Sequence, residues 1–261
     1  MFSITADYSA DWKDARVYIL SDLHIGDTNA DVEMIRSRVQ QIADDERGLC
    51  ILNGDLLNTA VRHSVSDVYS EVLSPVEQIN TVVDLLTPVR KRVIAANTGN
   101  HENRVYKTDG IMRLICRELG IEKRYSPEGV LCFLRFGNKT ATERSNCRKR
   151  QPYIYTIYAT HGGGGGRKEG AKAIRLADMA SVVDADIYVH SHSHMPMIMK
   201  QSFFRVDVQN QKAVPVDKLF VNDAAAISYG GYGQAGEFKP ASKQSPVIHL
   251  GGECKTMKAT L

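Results

Sequence analysis

The hydrophobic pattern switches period repeatedly along the first 120 residues. "ARVYILSD" (15–22) is a continuous apolar run rich in β-branched and aromatic residues and closed by Ser-Asp, which predicts a buried strand. Val32, Ile35, Val39 and Ile42 then recur at helical spacing, with Gly48 as the expected stop. "LCILNGD" (49–55) predicts a second buried strand. "YSEVLSPVEQINTVVDLLTPV" (69–89) reads as a helix in two pieces, broken at Pro75 and ended near Pro88. "KRVIAANTGNHE" (91–102) predicts a third strand and "TDGIMRLICREL" (108–119) a helix. Strands alternating with helices imply βαβ units and a largely parallel sheet.

The second half has a different rhythm. "VLCFLRFGN" (130–138) and "PYIYTIYATH" (152–161) read as strands around a polar, basic loop, "KTATERSNCRKRQ" (139–151). A helix, "KAIRLADMASVV" (172–183), precedes the strand "ADIYVHS" (185–191). "MIMKQSFFRVDV" (197–208) and "KLFVNDAAAIS" (218–228) read as antiparallel strands, and "PVIHLGG" (246–252) as a last strand. No repeat and no linker divides the chain. The pattern predicts an α/β protein in which two sheets form a sandwich flanked by helices, as one domain over residues 1–261.

Composition narrows the picture only modestly. The chain is 43% hydrophobic and 24% charged with a net charge of +3, ordinary for a soluble protein and too weakly basic to establish a nucleic-acid binder. Five scattered cysteines (Cys50, Cys116, Cys132, Cys147 and Cys254) without a C-x-x-C pair read as reduced thiols. No secretory leader is evident, and no apolar run approaches the roughly 18 residues of a membrane span. The expectation is a soluble, cytoplasmic protein without a membrane partner.

The chemistry lies at the carboxyl ends of the predicted strands, the edge where open α/β sheets bind ligands. Asp22 and His24 follow the first, Asp55 the second, and Asn100 and His101 the third. His161 follows "IYAT", while His190, His192 and His194 cluster in "HSHSHMP". Gly54 allows a sharp turn before Asp55. Oxygen and nitrogen donors without sulfur suit Mn²⁺, Fe or Zn²⁺ rather than Ca²⁺ or a thiolate site. The donors exceed the needs of one tetrahedral ion, and two ions about 3.5–4 Å apart are the standard device for phosphoester cleavage.

The ordered set D-x-H, G-D, G-N-H-E, H and H-x-H, running from Asp22 to His194, resembles the calcineurin-like metallophosphoesterase superfamily. The resemblance implies a four-layer α-β-β-α sandwich of two mixed β-sheets flanked by helices. It implies two divalent metal ions, manganese foremost, with Fe, Zn, Ni or Co as alternatives. Asp22, His24, Asp55 and His194 would hold one ion. Asp55, Asn100, His161 and His192 would hold the other, with Asp55 bridging. A hydroxide between the ions would be the nucleophile, and His101 the catalytic histidine. Glu102, completing G-N-H-E, would be structural.

Departures from the family pattern direct the substrate reading. Ser191 stands where glycine is usual, and the triplet of histidines leaves open a second register, His190 with His192. Met195-Pro196 favours His192 with His194. Asn58 occupies the place of an aspartate that pairs with the catalytic histidine in phosphoprotein phosphatases, and Thr59-Ala60 replace the segment bearing that family's phosphate-binding arginine. Arg104, Arg167 and Lys168 are the candidates for substrate contacts, with Arg62 as a further one. These features favour a phosphodiesterase or nuclease, acting on a nucleic acid, a nucleotide or another phosphodiester. Arg144, Arg148, Lys149 and Arg150 are a candidate rim for nucleic-acid phosphates. A Ser/Thr phosphoprotein phosphatase and a non-catalytic binding module are the alternatives. The run "THGGGGGRKEG" (160–170) lacks the Gly-Lys-Ser/Thr of a nucleotide cradle and reads as a loop giving the backbone room beside His161.

Overall fold

A computed structural model of the chain describes residues 1–9, 11–61, 68–104, 110–138, 152–164, 166 and 168–261. Its first sheet is built from the runs predicted to be buried strands. The strands β2 (Asp14–Leu20), β3 (Gly48–Asn53), β4 (Val93–Asn97) and β5 (Tyr125–Ser126) lie parallel in that order. On the other side of β2, β11 (Val247–Gly251) and β12 (Met257–Thr260) add antiparallel. The second sheet has the order β1 (Phe2–Ser9), β6 (Val130–Asn138), β7 (Tyr153–Ala159), β8 (Ile187–His190), β10 (Lys212–Asn222) and β9 (Met197–Asp207). Both sheets are six-stranded and mixed.

The continuous apolar runs are explained by burial on both faces. In β2, Tyr18 and Leu20 face one way, into a core shared with α1 (Val32–Asp44), α2 (Pro75–Leu86) and α3 (Ile111–Glu118). Val17 and Ile19 face the other way and meet Leu134, Ile157, Val189 and Leu219 of the second sheet. The outer face of that sheet, through Tyr158, Tyr188 and Phe220, is covered by Leu176 of α4 (Glu169–Asp178) and by Met179. The layers therefore run α-β-β-α. A short helix α5 (Gly231–Ala235) precedes β11.

Local physics moved several boundaries. Helix α1 ends at Asp44, and Gly48 opens β3 instead of stopping the helix. Asp45 makes that turn: its carbonyl accepts from Gly48 N at 2.9 Å and its carboxylate is gripped by Arg16. Pro75 does not break a helix but starts one. Ser74 Oγ accepts from Glu77 N at 3.4 Å and Glu77 Oε2 accepts from Ser74 N at 2.8 Å, a reciprocal capping box with proline in the first turn. The residues before it form only the single turn Val68–Ser70. Strands β1, β5 and β12 and helix α5 had no counterpart in the sequence reading. Cys50, Cys116 and Cys132 are buried thiols and Cys254 is exposed, with no disulfide among the described residues. Arg62, Cys147 and the basic loop at 139–151 lie outside the described residues.

Candidate metal centre

The loops that leave β2, β3, β4, β7 and β8 converge at one edge of the sandwich, bringing together all seven of the donors expected from the sequence. Asp22 Oδ1 lies 3.1 Å from His194 Nε2 and 3.8 Å from His24 Nε2, and the two histidine nitrogens are 3.2 Å apart. In a second group, His161 Nε2 lies 3.1 Å from Asp55 Oδ2 and 3.2 Å from Asn100 Oδ1, with His192 beside them. His24, Asp55 and His101 form a third group that joins the other two. The register His192 with His194 is the one that reaches both groups. His190 lies behind them, its Nδ1 2.9 Å from Asn222 Oδ1.

Backbone strain marks the same residues. Asp22, His24, Asp55, His192 and His194 all have φ between 46° and 63°. Non-glycine residues pay about 1–3 kcal/mol each for such conformations, and surrounding structure must impose them. Glu102 is a principal part of that structure. Fully buried, it accepts backbone N–H bonds from Asp55 (3.0 Å) and Gly99 (2.9 Å) through Oε2, and from Leu56 (2.7 Å) and Leu57 (3.1 Å) through Oε1. One carboxylate thus fixes the Asp55 turn against the Asn100 turn. Gly99 makes the approach possible, since a Cβ there would fall 2.1 Å from Asp55 Oδ1. The first glycine after His161 has a similar purpose: a Cβ on Gly162 would fall 2.0 Å from the His190 ring. Its room is made for His190.

Hydrogen bonds also fix which atoms face inward. His161 Nδ1 lies 2.7 Å from the Asn53 carbonyl, which can only accept, so Nδ1 carries a proton and Nε2 is the atom turned to Asp55, donating to its carboxylate while no cation is bound. Asp22 Oδ2 accepts from His192 N at 3.1 Å and lies 3.1 Å from Ser21 Oγ, while Oδ1 is buried without a hydrogen-bond partner. His24 Nδ1 is likewise buried and unpartnered. Burial pushes the Asp55 carboxyl up, but the hydrogen bond and charge of His161 prevail and hold it at about 2. His161 responds in kind: burial lowers it, yet Asp55 and Asp22 raise it to about 10. The arrangement demands positive charge at its centre.

His101 Nδ1 donates to the Asn58 carbonyl at 2.6 Å, so Asn58 holds the imidazole with its backbone. The Asn58 side chain turns away, its Nδ2 2.7 Å from Glu71 Oε1. The Arg104 guanidinium lies against the imidazole, Nη1 3.0 Å from Nδ1 and Nη2 2.9 Å from Nε2. Burial, His24 and Arg104 together lower His101 to about 3. Lys168 is exposed at the start of α4, and no hydrogen bond or ion pair joins it to the described site residues. Arg167 lies outside the described residues. Sequence reasoning did not single out Lys172, whose Nζ donates to the Ser193 carbonyl at 2.8 Å and pins the loop bearing His192 and His194. It also missed Asp223, whose Oδ2 lies 2.8 Å from Ser21 Oγ behind Asp22. Burial pushes Asp223 up to about 7.

The model of the calcineurin-like phosphoesterase family matches residues 15–196, about two-thirds of the chain and every donor described above. The chain belongs to that family. No curated protein gives a significant sequence match. Among solved structures, the chain is similar to vacuolar protein sorting 29 from Cryptosporidium parvum (15% identity over 95% of this chain and 97% of that one, TM-score 0.45). It is similar also to a metallophosphoesterase from Sphaerobacter thermophilus (10% identity, 94% and 86% covered, TM-score 0.42). A third is a conserved uncharacterized protein, a predicted phosphoesterase, from Streptococcus pneumoniae TIGR4 (12% identity, 95% and 97% covered, TM-score 0.39).

Family membership and the donor clusters both point to divalent cations, and the residues present fit them. The donors are carboxylate, amide and imidazole, without thiolate. Asp22 Oδ1 is a buried anion acceptor with no donor of its own. Ligand atoms about 2.0–2.2 Å from one ion stand roughly 3–3.5 Å from each other, the spacing of the closest pairs here. No helix among the described residues is long and apolar enough to cross a membrane.

Proposed function

We propose that the protein is a dinuclear-metal-dependent phosphoesterase that hydrolyses phosphodiesters, with residues 1–261 acting as one domain. The carrying observation is the convergence of seven donors from both sheets, their closest ligand atoms 3.1–3.2 Å apart. Asp22, His24, Asp55 and His194 would hold one cation, and Asp55, Asn100, His161 and His192 the other. The pair would supply Lewis acidity and an activated water at neutral pH, with manganese the first metal to test.

The chain's own groups then do the rest. His101, oriented by Asn58 through Nδ1, is neutral with Nε2 an acceptor; it would take the attacking water's proton at Nε2 and pass it to the leaving oxygen. Arg104, beside that nitrogen, is the cation that binds a non-bridging phosphate oxygen. It substitutes for the arginine that Thr59-Ala60 leave out. Lys168 and Arg167 are weaker candidates for the same contact.

The test is turnover of bis-p-nitrophenyl phosphate, p-nitrophenyl phosphate and a phosphopeptide by the purified chain with Mn²⁺. Diester cleavage is expected to dominate, and preference for the phosphopeptide would establish the phosphatase reading instead. Asp55→Asn should lower turnover by more than about a hundredfold and reduce bound metal, because it touches both groups. Unchanged metal content in that variant would refute the assigned centre.

A further inference from the structure

The β9–β10 hairpin carries an apolar surface that the metal centre does not use. β9 is an edge strand whose sole pairing among the described residues is with β10. Near its start, the face turned toward the first sheet is covered: Ile198 packs into the core between the sheets beside Leu219 and Val221. Side chains alternate along the strand, so Phe204 and Val206 lie on that same face, but beyond the core. Phe204 is 79% exposed, Val206 72% and Val208 81%. Their cross-strand partners Pro215 and Ala213 are exposed too. The opposite face is the one that packs, with Phe203 6.5 Å from Phe220. An open edge bearing the bare side chains Phe204 and Val206, with Val208 next to them where the turn begins, is a template for strand pairing.

The order of residues indicates what pairs there. Phe204-Arg205-Val206-Asp207-Val208 shows the same apolar pattern from either end, with its two charges opposite in sign. Two such strands laid antiparallel about Val206 set Arg205 of each copy opposite Asp207 of the other. Phe204 then faces Val208 twice, and Val206 faces itself. Apolar pairs and opposite charges placed directly across an antiparallel ladder are its stabilising unit. Arg205 is available: its contact with Asp184 is 3.7 Å long and solvated on both sides. Asp207 accepts from Asn210 in the hairpin turn and retains acceptor capacity.

We propose that the protein forms a two-fold dimer by antiparallel pairing of β9 edges centred on Val206, merging the second sheets of two copies into one. β10 runs parallel to β8 and both end at the metal centre, so the hairpin tip lies at the opposite end of the sheet. Pairing there leaves both centres open.

Sedimentation velocity of the full chain over about a hundredfold concentration range tests the proposal. The wild type should approach twice the monomer mass at the upper end. Arg205→Asp and Asp207→Arg, each of which sets like charges opposite one another, should weaken dimerisation at least about tenfold. The double variant, with the charges exchanged, should recover wild-type association. Amide exchange at residues 204–208 should slow with concentration in the wild type and the double variant only. Both substituted positions lie at the surface near the hairpin turn, Arg205 exposed and Asp207 half-exposed, so circular dichroism should report the same fold for every chain. A wild type that stays monomeric, single variants that associate normally, or a double variant that does not recover would each overturn the proposal. So would concentration-independent protection of residues 204–208, which would assign their cover to the chain itself.

Discussion

Two parts of the metal centre are built differently. Asp22, His24, Asp55 and His161 are buried, and hydrogen bonds accepted by the Glu102 carboxylate and the Asn53 carbonyl, with one from the His192 amide to Asp22, fix their turns. His192 and His194, on the loop from Ser191 to Pro196, are only half-buried, and the His194 side chain is 39% exposed. That loop is held by Lys172 at Ser193 and by Asn222, whose Nδ2 donates to Ser193 Oγ at 2.8 Å and to the Met195 carbonyl at 2.7 Å. The wall is held by bonds to backbone groups inside the protein, whereas the rim is held by side chains and stands nearer to solvent. Water can stand in for a lost rim ligand but has poor access to the wall.

The largest effect expected from this contrast separates two histidines. His161→Ala should cost metal affinity more than about a hundredfold, beyond the 10–100-fold usual for supporting residues, while His194→Ala should cost about tenfold. Calorimetric titration of the metal-free variants with Mn²⁺ decides it, and equal losses would erase the distinction between wall and rim. Next comes Glu102→Gln. The amide places N–H groups against backbone N–H groups, so metal affinity should fall about 10–100-fold and thermal stability with it. Glu102→Asp, which keeps the acceptors, should recover part of both. If the glutamine chain binds metal normally, the wall does not depend on that clamp.

The smallest effect concerns Asp223, which ties the second sheet to Asp22 through Ser21. Its folded value of about 7 lies above the ordinary 3.8, so the folded chain binds this proton more tightly than the unfolded one. Stability therefore declines as pH rises from about 4 to about 7, by at most about 1.4 kcal/mol per pH unit, and the loss is complete above that window. Asp223→Asn lacks this decline. Melting curves with a chelator at pH 5 and pH 8 should show the wild type losing a few degrees relative to the variant. Parallel curves would remove Asp223 from the description.

Distance along the chain, not burial, decides what the sequence could reveal. Donors of both wall and rim were legible because each set follows a buried strand closely: "YILSDLH" and "IYVHSHSH" each name a strand and its ligands. The strands with continuous apolar runs were legible for the same reason. β1 was not. Its residues alternate between exposed and half-buried, and its partner β6 lies 128 positions further on, with Phe2 opposite Val130. No local signal marks such a pairing. Glu71, Lys172 and Asp223 escaped notice because each acts at a distance along the chain, as in the 202-residue separation of Ser21 from Asp223. The motif supplies the donors, and tertiary approach supplies the groups that hold them. The helix boundary at Pro75 failed for a local reason: proline breaks a helix interior but favours its first turn.

Pairing of β2 with β11 has a consequence for synthesis. Residues 14–20 leave the ribosome well before their antiparallel neighbour at 247–251. At about 5–20 residues per second, β2 waits many seconds with one edge open. The two rim histidines also emerge late, after β8 has paired beside β7. A nascent chain therefore presents Asp22, His24, Asp55 and His161 before His192 and His194, and all of them before β11 covers the open edge of β2.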